Sequence, residues 1–418
     1  MSYPRMVRIQ QHFTTSRISD VAQAIRDELP KIDLARRIRP GETVAISAGS
    51  RGIANIALIT KTLVEELKRY EAKPFIVPAM GSHGGGFAEE QRAIIEGYGI
   101  TEEYIGAPIK ASMDVVQVGS TKDGIPVYFD KYAYEADHVV VVNRVKPHTD
   151  FIGNIESGLH KMMLIGLGKH RGASIYHQAI VHYSFDQIIR SVGQTVIDTC
   201  HILFGLAIVE NQNHETALVE AIRPDDFLER EKELLKRSKQ WMPRLPFDYV
   251  DLLIVDQIGK DISGGGMDTN VIGRKFYHHQ AAEEEFPRIT RIYVRDLTEA
   301  THGNASGIGL AEYVHTQLVK KMDYEATYTN CITAYAPAGA SIPIHYDTDR
   351  KVLDMALQTI GYIQPEQAKV IRIRNTLELE QILVSEAYYD DIQHRSDLTI
   401  VEPAHDMEFT TEGNLLLF

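Results

Sequence analysis

Apolar runs and amphipathic stretches alternate along the first half of the chain. The runs TVAISAG (residues 43–49) and KPFIVPAMG (residues 73–81) have the character of strands, and each precedes a stretch in which apolar residues recur at helical spacing. A third run, HVVVVNRV (residues 138–145), is a β-branched segment of the kind buried on both faces in a parallel sheet. The alternation predicts βα units on a mostly parallel sheet with right-handed crossovers.

The second half begins with a change of pattern. A highly charged segment after residue 223 ends in two prolines, and this favours a domain boundary near residues 244–247. The later runs YVDLLIVDQIG and RITRIYVRDL indicate a second, smaller domain. We therefore predict an α/β protein with two α/β domains, residues 1–246 and 247–389, with mostly parallel sheets and the active site in the cleft between them. The tail, residues 390–418, is expected to return to the first domain.

Composition narrows the class of protein. A chain of 418 residues with 44% hydrophobic and 24% charged residues is typical of a globular protein of about two domains. The net charge of -13 argues against nucleic acid or an anionic membrane surface as the main partner. Cys200 and Cys331 are the only cysteines, too few for a disulfide framework or a four-cysteine metal site. No run approaches the length of a membrane span, so a cytoplasmic protein is expected.

Polar residues follow each predicted strand. Because parallel strands end at one edge of a sheet, these residues are expected to converge on a single cleft. They are Ser50 and Arg51, then Ser82, His83, Gly84, Gly85 and Gly86, then Lys146 and His148, and finally Gln257 and Lys260 from the second domain.

The segment from Lys146 to His177 is the densest in polar chemistry, with four histidines and three lysines. His83 and His148 on opposite sides of a substrate would form a two-base pair, although either alone is more often a structural hydrogen-bonding residue. His177 projects from the apolar face of a predicted helix, which suits either a core histidine or a metal ligand. Lys161 either points inward, where it needs a partner or a covalent role, or lies on the solvent face.

The order of these motifs resembles the nickel-pincer nucleotide-dependent lactate racemase family. The shared set is an arginine after the first strand, GSH, KPH, SGxxK, a histidine sixteen residues beyond that lysine, and Q-x-x-K in the second domain. The similarity extends over most of the chain.

The resemblance implies an isomerase, a racemase or epimerase acting at C2 of a 2-hydroxy acid by hydride transfer. The implied cofactor is a nickel-pincer nucleotide, the Ni(II) complex of pyridinium-3,5-bisthiocarboxylic acid mononucleotide, joined covalently to Lys161 with His177 as the protein ligand of nickel. His83 and His148 correspond to the acid/base pair. Arg51, Gln257 and Lys260 are similar to the groups that hold the substrate. Cofactor-synthesis enzymes become expected partners.

Further contacts to the cofactor are assigned to Ser50, Gly84 and Gly85, since bare glycines and exposed N–H groups suit an anion or phosphate. The chain departs from the lactate enzymes in several ways. Ala48 replaces an acidic residue, the segment between His148 and Lys161 is about three residues longer, and the only tryptophan, Trp241, lies in the linker. A substrate other than lactate, larger or more polar, is predicted.

Two other functions stay open on the sequence. A Zn- or Mn-dependent lyase or hydrolase could use His148, His160, His170 and His177, although no compact motif such as H-E-x-x-H is present. A non-catalytic protein that binds a small anion would need Arg51 and Lys260 but neither a second base nor Lys161. The substrate, the oligomeric state and the roles of Glu156 and His160 are left open.

Overall fold

A computed structural model describes residues 2–13, 16–50, 52–180, 182–275 and 286–417. The chain divides into two compact units. The N-terminal unit is Thr15–Met242, and the C-terminal unit consists of Met1–Thr14 together with Pro243–Phe418. Among the described residues, no helix is both long and apolar enough to cross a membrane.

The strands of the described residues are numbered in chain order. They are β1 (Met6–Gln11), β2 (Thr43–Ala48), β3 (Lys73–Pro78), β4 (Val115–Ser120), β5 (Pro126–Asp130), β6 (His138–Arg144), β7 (Ile202–Glu210), β8 (Thr216–Ile222), β9 (Tyr249–Ile258), β10 (Arg288–Leu297), β11 (Tyr313–His315), β12 (Ile344–Tyr346), β13 (Val370–Ile373), β14 (Gln381–Ser385) and β15 (Leu398–His405).

The α-helices are numbered in the same way. They are α1 (Val21–Glu28), α2 (Ile56–Arg69), α3 (Ala88–Gly97), α4 (Glu102–Ile105), α5 (Lys131–Tyr134), α6 (Leu159–Lys161), α7 (Lys169–Ala179), α8 (Phe185–Thr199), α9 (Phe227–Trp241), α10 (Thr316–Lys321), α11 (Tyr324–Thr333), α12 (Asp349–Leu357) and α13 (Tyr389–Gln393). A π-helical turn, Met162–Gly166, follows α6 directly.

The N-terminal unit is built on a five-stranded sheet with the order β3-β2-β6-β7-β8. The first four strands are parallel and β8 is antiparallel to β7. Alternate residues of β6 face opposite apolar layers. Val139 and Val141 belong to the layer that includes α8, and Val140 and Val142 to the layer that includes α2. Burial on both faces explains the β-branched run, and the predicted α/β class with mostly parallel sheets is confirmed.

The C-terminal unit contains an eight-stranded sheet with the order β12-β11-β10-β9-β13-β14-β1-β15. The strands from β12 to β13 are parallel, whereas β14, β1 and β15 pair antiparallel. The first strand of the chain thus lies between two of the last strands, with Met6 opposite Ser385.

This sheet differs from the predicted domain division. The tail from residue 390 was expected in the first domain, but β15 belongs to the C-terminal unit, and residues 6–11 lie there too. The partners of β1 are 371 to 399 residues away in sequence, so no local pattern indicates the pairing.

Candidate active site

Ser50 and His83 follow β2 and β3, which are neighbours in the N-terminal sheet. The Ser50 hydroxyl and Nδ1 of His83 form a hydrogen bond. The Tyr98 hydroxyl donates to the Ser50 carbonyl oxygen at 2.7 Å and fixes this loop from the other side. The ends of β2 and β3 therefore lie close together, and the Ser50 hydroxyl is hydrogen-bonded to the His83 ring.

The glycines beside His83 are required by the backbone. Gly84 and Gly85 have φ angles of 64° and 61°, in the left-handed region that favours glycine. The buried Gln91 amide donates to the carbonyl oxygens of Gly81 and His83, at 2.9 and 3.0 Å. A side chain at Gly84 would lie 3.1 Å from the Gln91 backbone nitrogen, so the loop is closely packed as well as strongly curved.

The helix after this loop, α3, makes anion binding at the predicted site less favourable. Glu89 and Glu90 occupy the first turn of α3 and place negative charge where a helix N-terminus would otherwise favour an anion. The conformation of Gly84 and Gly85 is accounted for by the chain itself, and their contact with a cofactor remains a prediction.

Glu156 organises the loop that carries His148. Its carboxylate is buried and accepts the His148 backbone N–H at 2.7 Å and the Gly153 N–H at 3.4 Å. Lys239 from α9 donates to the same carboxylate at 2.6 Å. Glu156, whose role the sequence leaves open, therefore stabilises the loop that carries the candidate base His148.

The His148 ring has partners within its own loop. Its Nδ1 accepts the backbone N–H of Asp150 at 3.0 Å, while the Asp150 carboxylate lies 3.9 Å from the same nitrogen. One ring face stacks on Phe151, with centroids 4.6 Å apart and planes 28° apart, and Phe185 lies 5.6 Å away. Hydrogen bonding and stacking together set the orientation of the imidazole.

Lys161 ends α6 at a change of helical geometry. Its ammonium donates to the Ser157 hydroxyl at 3.4 Å, a long hydrogen bond. In the π-helical turn that follows, the Leu167 N–H donates to the Met162 carbonyl oxygen at 2.8 Å, five residues back. Such turns are rare and occur frequently at functional sites.

Two glycines let this turn approach the sheet. A Cβ at Gly49, just after β2, would lie 3.1 Å from Cε of Met162. A Cβ at Gly166 would lie 2.8 Å from the Ala79 carbonyl oxygen, just after β3. The turn that begins after Lys161 therefore packs against the same strand ends that lead to the serine–histidine pair.

His160 has a structural partner. Its Nδ1 and its backbone N–H both bind the Glu231 carboxylate, the N–H at 3.1 Å, and the two side chains are only 4% and 3% exposed. Side chains at Gly158 or Gly193 would collide with this pair. His160, the other residue without an assigned role, therefore joins α6 to α9.

Lys169 forms a second buried pair, which the sequence does not reveal. Its ammonium lies 3.0 Å from the Asp130 carboxylate, both side chains are fully buried, and it also donates to the Pro78 carbonyl oxygen. Burial raises the pKa of the Asp130 carboxyl above its ordinary value, and the Lys169 charge opposes this rise. The pair joins the start of α7 to β5 and to the end of β3.

Two predicted site residues are not described by the structure. Arg51 lies outside the described residues, and His177 falls within α7 but its side chain is not described. Among the described side chains, no group of three or more His, Cys, Asp or Glu residues is arranged to hold a metal.

Gln257 and Lys260 belong to the C-terminal unit. Gln257 is the penultimate residue of β9, and Lys260 follows that strand, with its backbone N–H donating to the Thr301 hydroxyl at 3.1 Å. The Lys260 ammonium donates to the Gly264 carbonyl oxygen at 2.5 Å. Each residue therefore lies at the carboxyl end of a parallel strand, as predicted.

An open cleft of about 430 Å³ lies beside Gln257 within this unit. Polar side chains contribute to its lining, among them Asp296, Gln317, Arg374 and Asn414. Its volume falls in the range of small-molecule sites.

Some supporting residues could not be found from the sequence. Glu231 lies 71 positions from His160, and Asp130 lies 39 positions before Lys169. Asp150, two positions after His148, is visible in the sequence but becomes informative only once its distance from the ring is known.

The fold and the clustered residues define a two-unit α/β protein with a candidate site at the carboxyl edge of its N-terminal sheet. Residues 6–187 match the model of the lactate racemase N-terminal domain. The match covers 182 of the 418 residues, and this part of the chain is similar to that domain.

The chain is similar in fold to a solved structure. That structure is the lactate racemase apoprotein from Thermoanaerobacterium thermosaccharolyticum, with a TM-score of 0.55 and 13% sequence identity. The similarity covers 89% of this chain and 99% of that chain. No curated protein matches the sequence at a significant level.

Proposed function

We propose that this protein interconverts the configurations at C2 of a 2-hydroxy acid, using a nickel-pincer nucleotide attached to Lys161. The observation that carries the proposal is the clustering within one unit. The serine–histidine pair and the turn after Lys161 lie at adjoining strand ends, inside the region matched to the lactate racemase N-terminal domain. An acid with one stereocentre would be racemised, and one with several would be epimerised.

His83 and His148 would act as acid and base. Nδ1 of His83 is hydrogen-bonded to the Ser50 hydroxyl, and Nδ1 of His148 accepts the Asp150 backbone N–H, so we assign proton transfer with the substrate to Nε2 of each ring. One histidine would accept the substrate hydroxyl proton, and the other would return a proton when the opposite configuration forms.

The donor chemistry of the chain suits the cofactor. A primary amine at Lys161 can form a thioamide, and an imidazole at His177 is a nitrogen donor appropriate to Ni(II). When bound, the cofactor would supply an acceptor for the C2 hydride. Ser50, Gly84 and Gly85 are the further candidates for holding it.

Arg51, Gln257 and Lys260 would hold the substrate carboxylate and carbonyl oxygen. A guanidinium fork and an ammonium favour these groups. We propose a substrate larger or more polar than lactate because the chain departs from the lactate enzymes at Ala48 and in the longer segment between His148 and Lys161.

The zinc or manganese hydrolase is less well supported. His160 is one of its four candidate ligands, and its Nδ1 is bound to the buried Glu231 carboxylate. Using His160 as a ligand through that nitrogen would require breaking the buried pair that joins α6 to α9.

Intact-protein mass spectrometry tests the cofactor. Protein made with nickel and the cofactor-synthesis enzymes, its proposed partners, should carry an adduct on Lys161 that is absent from Lys161→Arg. Lys169 serves as the internal comparison, since its buried amine should remain unmodified. An unmodified Lys161 in protein from such cells would contradict the proposal.

Chiral chromatography of optically pure 2-hydroxy acids tests the reaction. His83→Gln and His148→Gln should each abolish interconversion while leaving the adduct in place, and the exposed His182→Gln should retain activity. Full activity in either of the first two variants would remove the two-base mechanism.

A further inference from the structure

We propose that Asp150 is a positioning residue that switches His148 between a resting and a working tautomer. The inference rests on the proposed function and adds a residue to it. It follows from the two groups that Asp150 presents to one ring nitrogen, its backbone N–H and its carboxylate.

A neutral histidine accepts a proton at Nε2 only when its own proton is on Nδ1. A carboxylate that accepts the Nδ1–H favours this tautomer and stabilises the imidazolium that forms. Conversely, a donor aimed at Nδ1 leaves the proton on Nε2, where the ring can donate a hydrogen bond but cannot act as a base.

The structure shows His148 in the second arrangement. The Asp150 N–H donates to Nδ1 at 3.0 Å, so the ring proton belongs on Nε2. The Asp150 carboxylate, at 3.9 Å, is beyond hydrogen-bond distance from Nδ1. The described conformation is therefore a resting one for base catalysis.

A short movement exchanges the two partners. Turning the Asp150 peptide away and bringing its carboxylate about 1 Å closer would replace the donor with an acceptor. Water would then carry the proton from Nε2 to Nδ1, and Nε2 could accept the substrate hydroxyl proton to give an imidazolium. His83 would begin as an imidazolium and give its proton to the new hydroxyl, so the two histidines together keep one extra proton and the charge balances. Water would return that proton from His148 to His83 before the next turnover.

The loop confines this movement to a few residues. Glu156 holds the His148 N–H at one end and the Gly153 N–H at the other. Phe151 stacks on the imidazole and keeps its plane while the partner at Nδ1 changes.

His83 differs in its partner. The Ser50 hydroxyl can donate to Nδ1 or accept from it, so His83 reaches the working tautomer by a rotation of one hydroxyl. The two histidines therefore differ at rest in the group that contacts Nδ1, a hydroxyl for His83 and a backbone N–H for His148.

The resting state is tested by NMR on cofactor-free protein labelled with ¹⁵N-histidine, with the His148 signals identified by their loss in His148→Gln. At neutral pH, His148 should carry its proton on Nε2. Asp150→Asn keeps the backbone N–H and should give the same spectrum, which also shows that the variant folds. A proton on Nδ1 of His148 in the wild-type protein would overturn the resting tautomer.

The working state is tested in cofactor-loaded enzyme. Asp150→Asn should lower kcat by about 10²- to 10⁴-fold with the adduct mass unchanged. Asp150→Glu should recover part of that loss, and the exposed Asp123→Asn should leave kcat unchanged within about twofold. Activity of Asp150→Asn within about threefold of wild type would overturn the role of the carboxylate.

Different results would overturn the proposed function and the role of Asp150. A loaded wild-type protein that interconverts no 2-hydroxy acid overturns the proposed function and the working role of Asp150 with it. An active wild-type enzyme with an equally active Asp150→Asn variant overturns the role of Asp150 alone.

Discussion

Two histidines and two lysines within residues 148–169 have opposite kinds of partner. His160 and Lys169 bind carboxylates from distant parts of the chain, and both pairs are buried. By contrast, Nδ1 of His148 accepts from Asp150, two positions on, and the Lys161 ammonium donates to Ser157, four positions back. Distant partners fix the tertiary structure, whereas local partners can be exchanged without unfolding it. The locally partnered residues are therefore the better candidates for chemistry.

The largest expected difference in the free energy of unfolding is between changes at Lys169 and at Lys161. Lys169→Met leaves the Asp130 carboxylate buried without its counter-ion and should lower the free energy of unfolding by about 3–5 kcal/mol. Lys161→Met should change it by clearly less than Lys169→Met does, because the hydrogen bond from Lys161 to the Ser157 hydroxyl is long, whereas Lys169 is the counter-ion of a fully buried carboxylate. Urea unfolding followed by circular dichroism measures both, and equal losses would abolish the distinction.

A smaller difference in the free energy of unfolding is expected between changes beside His160 and beside His148. Glu231→Gln weakens both hydrogen bonds to His160 and should cost about 1–3 kcal/mol in the free energy of unfolding. Asp150→Asn is the matched change beside His148 and should cost less than Glu231→Gln, because the Asp150 carboxylate is partly exposed and lies 3.9 Å from Nδ1. A larger loss for Asp150→Asn would show that this loop is as rigidly required as the buried pair.

The smallest expected effect concerns the support beneath His148. Glu156→Gln keeps an acceptor for the His148 N–H but loses the ion pair with Lys239, and it should cost about 1 kcal/mol. Hydrogen exchange at the His148 amide should become faster, while exchange at the His160 amide stays unchanged. Equal acceleration at both amides would mean that Glu156 stabilises the whole unit rather than the loop.

The sequence predicts the parts of this protein that depend on local pattern. β2, β3 and β6 and the polar residues behind them follow from apolar runs and the rule that parallel strands share an edge. The hydrogen bond between Ser50 and His83 joins residues 33 positions apart. The sequence predicts only that the two strand ends converge, not this contact.

Other features depend on distant partners and could not be foreseen. Glu156 and His160 looked alike in the sequence, as extra polar groups near the site, and only Lys239 and Glu231 reveal what each supports. The same limit applies to β1, which the sequence assigns to the first domain and the structure pairs with β14 and β15.

The position of β1 has a consequence for biosynthesis. β1 is translated before the whole N-terminal unit, whereas Gln381–Ser385 and Leu398–His405, between which it pairs, are translated after that unit. At about 5–20 residues per second, the strand waits roughly 20–80 seconds for them. Residues 15–242 can fold during that interval, whereas the sheet of the C-terminal unit can close only after His405 has been translated.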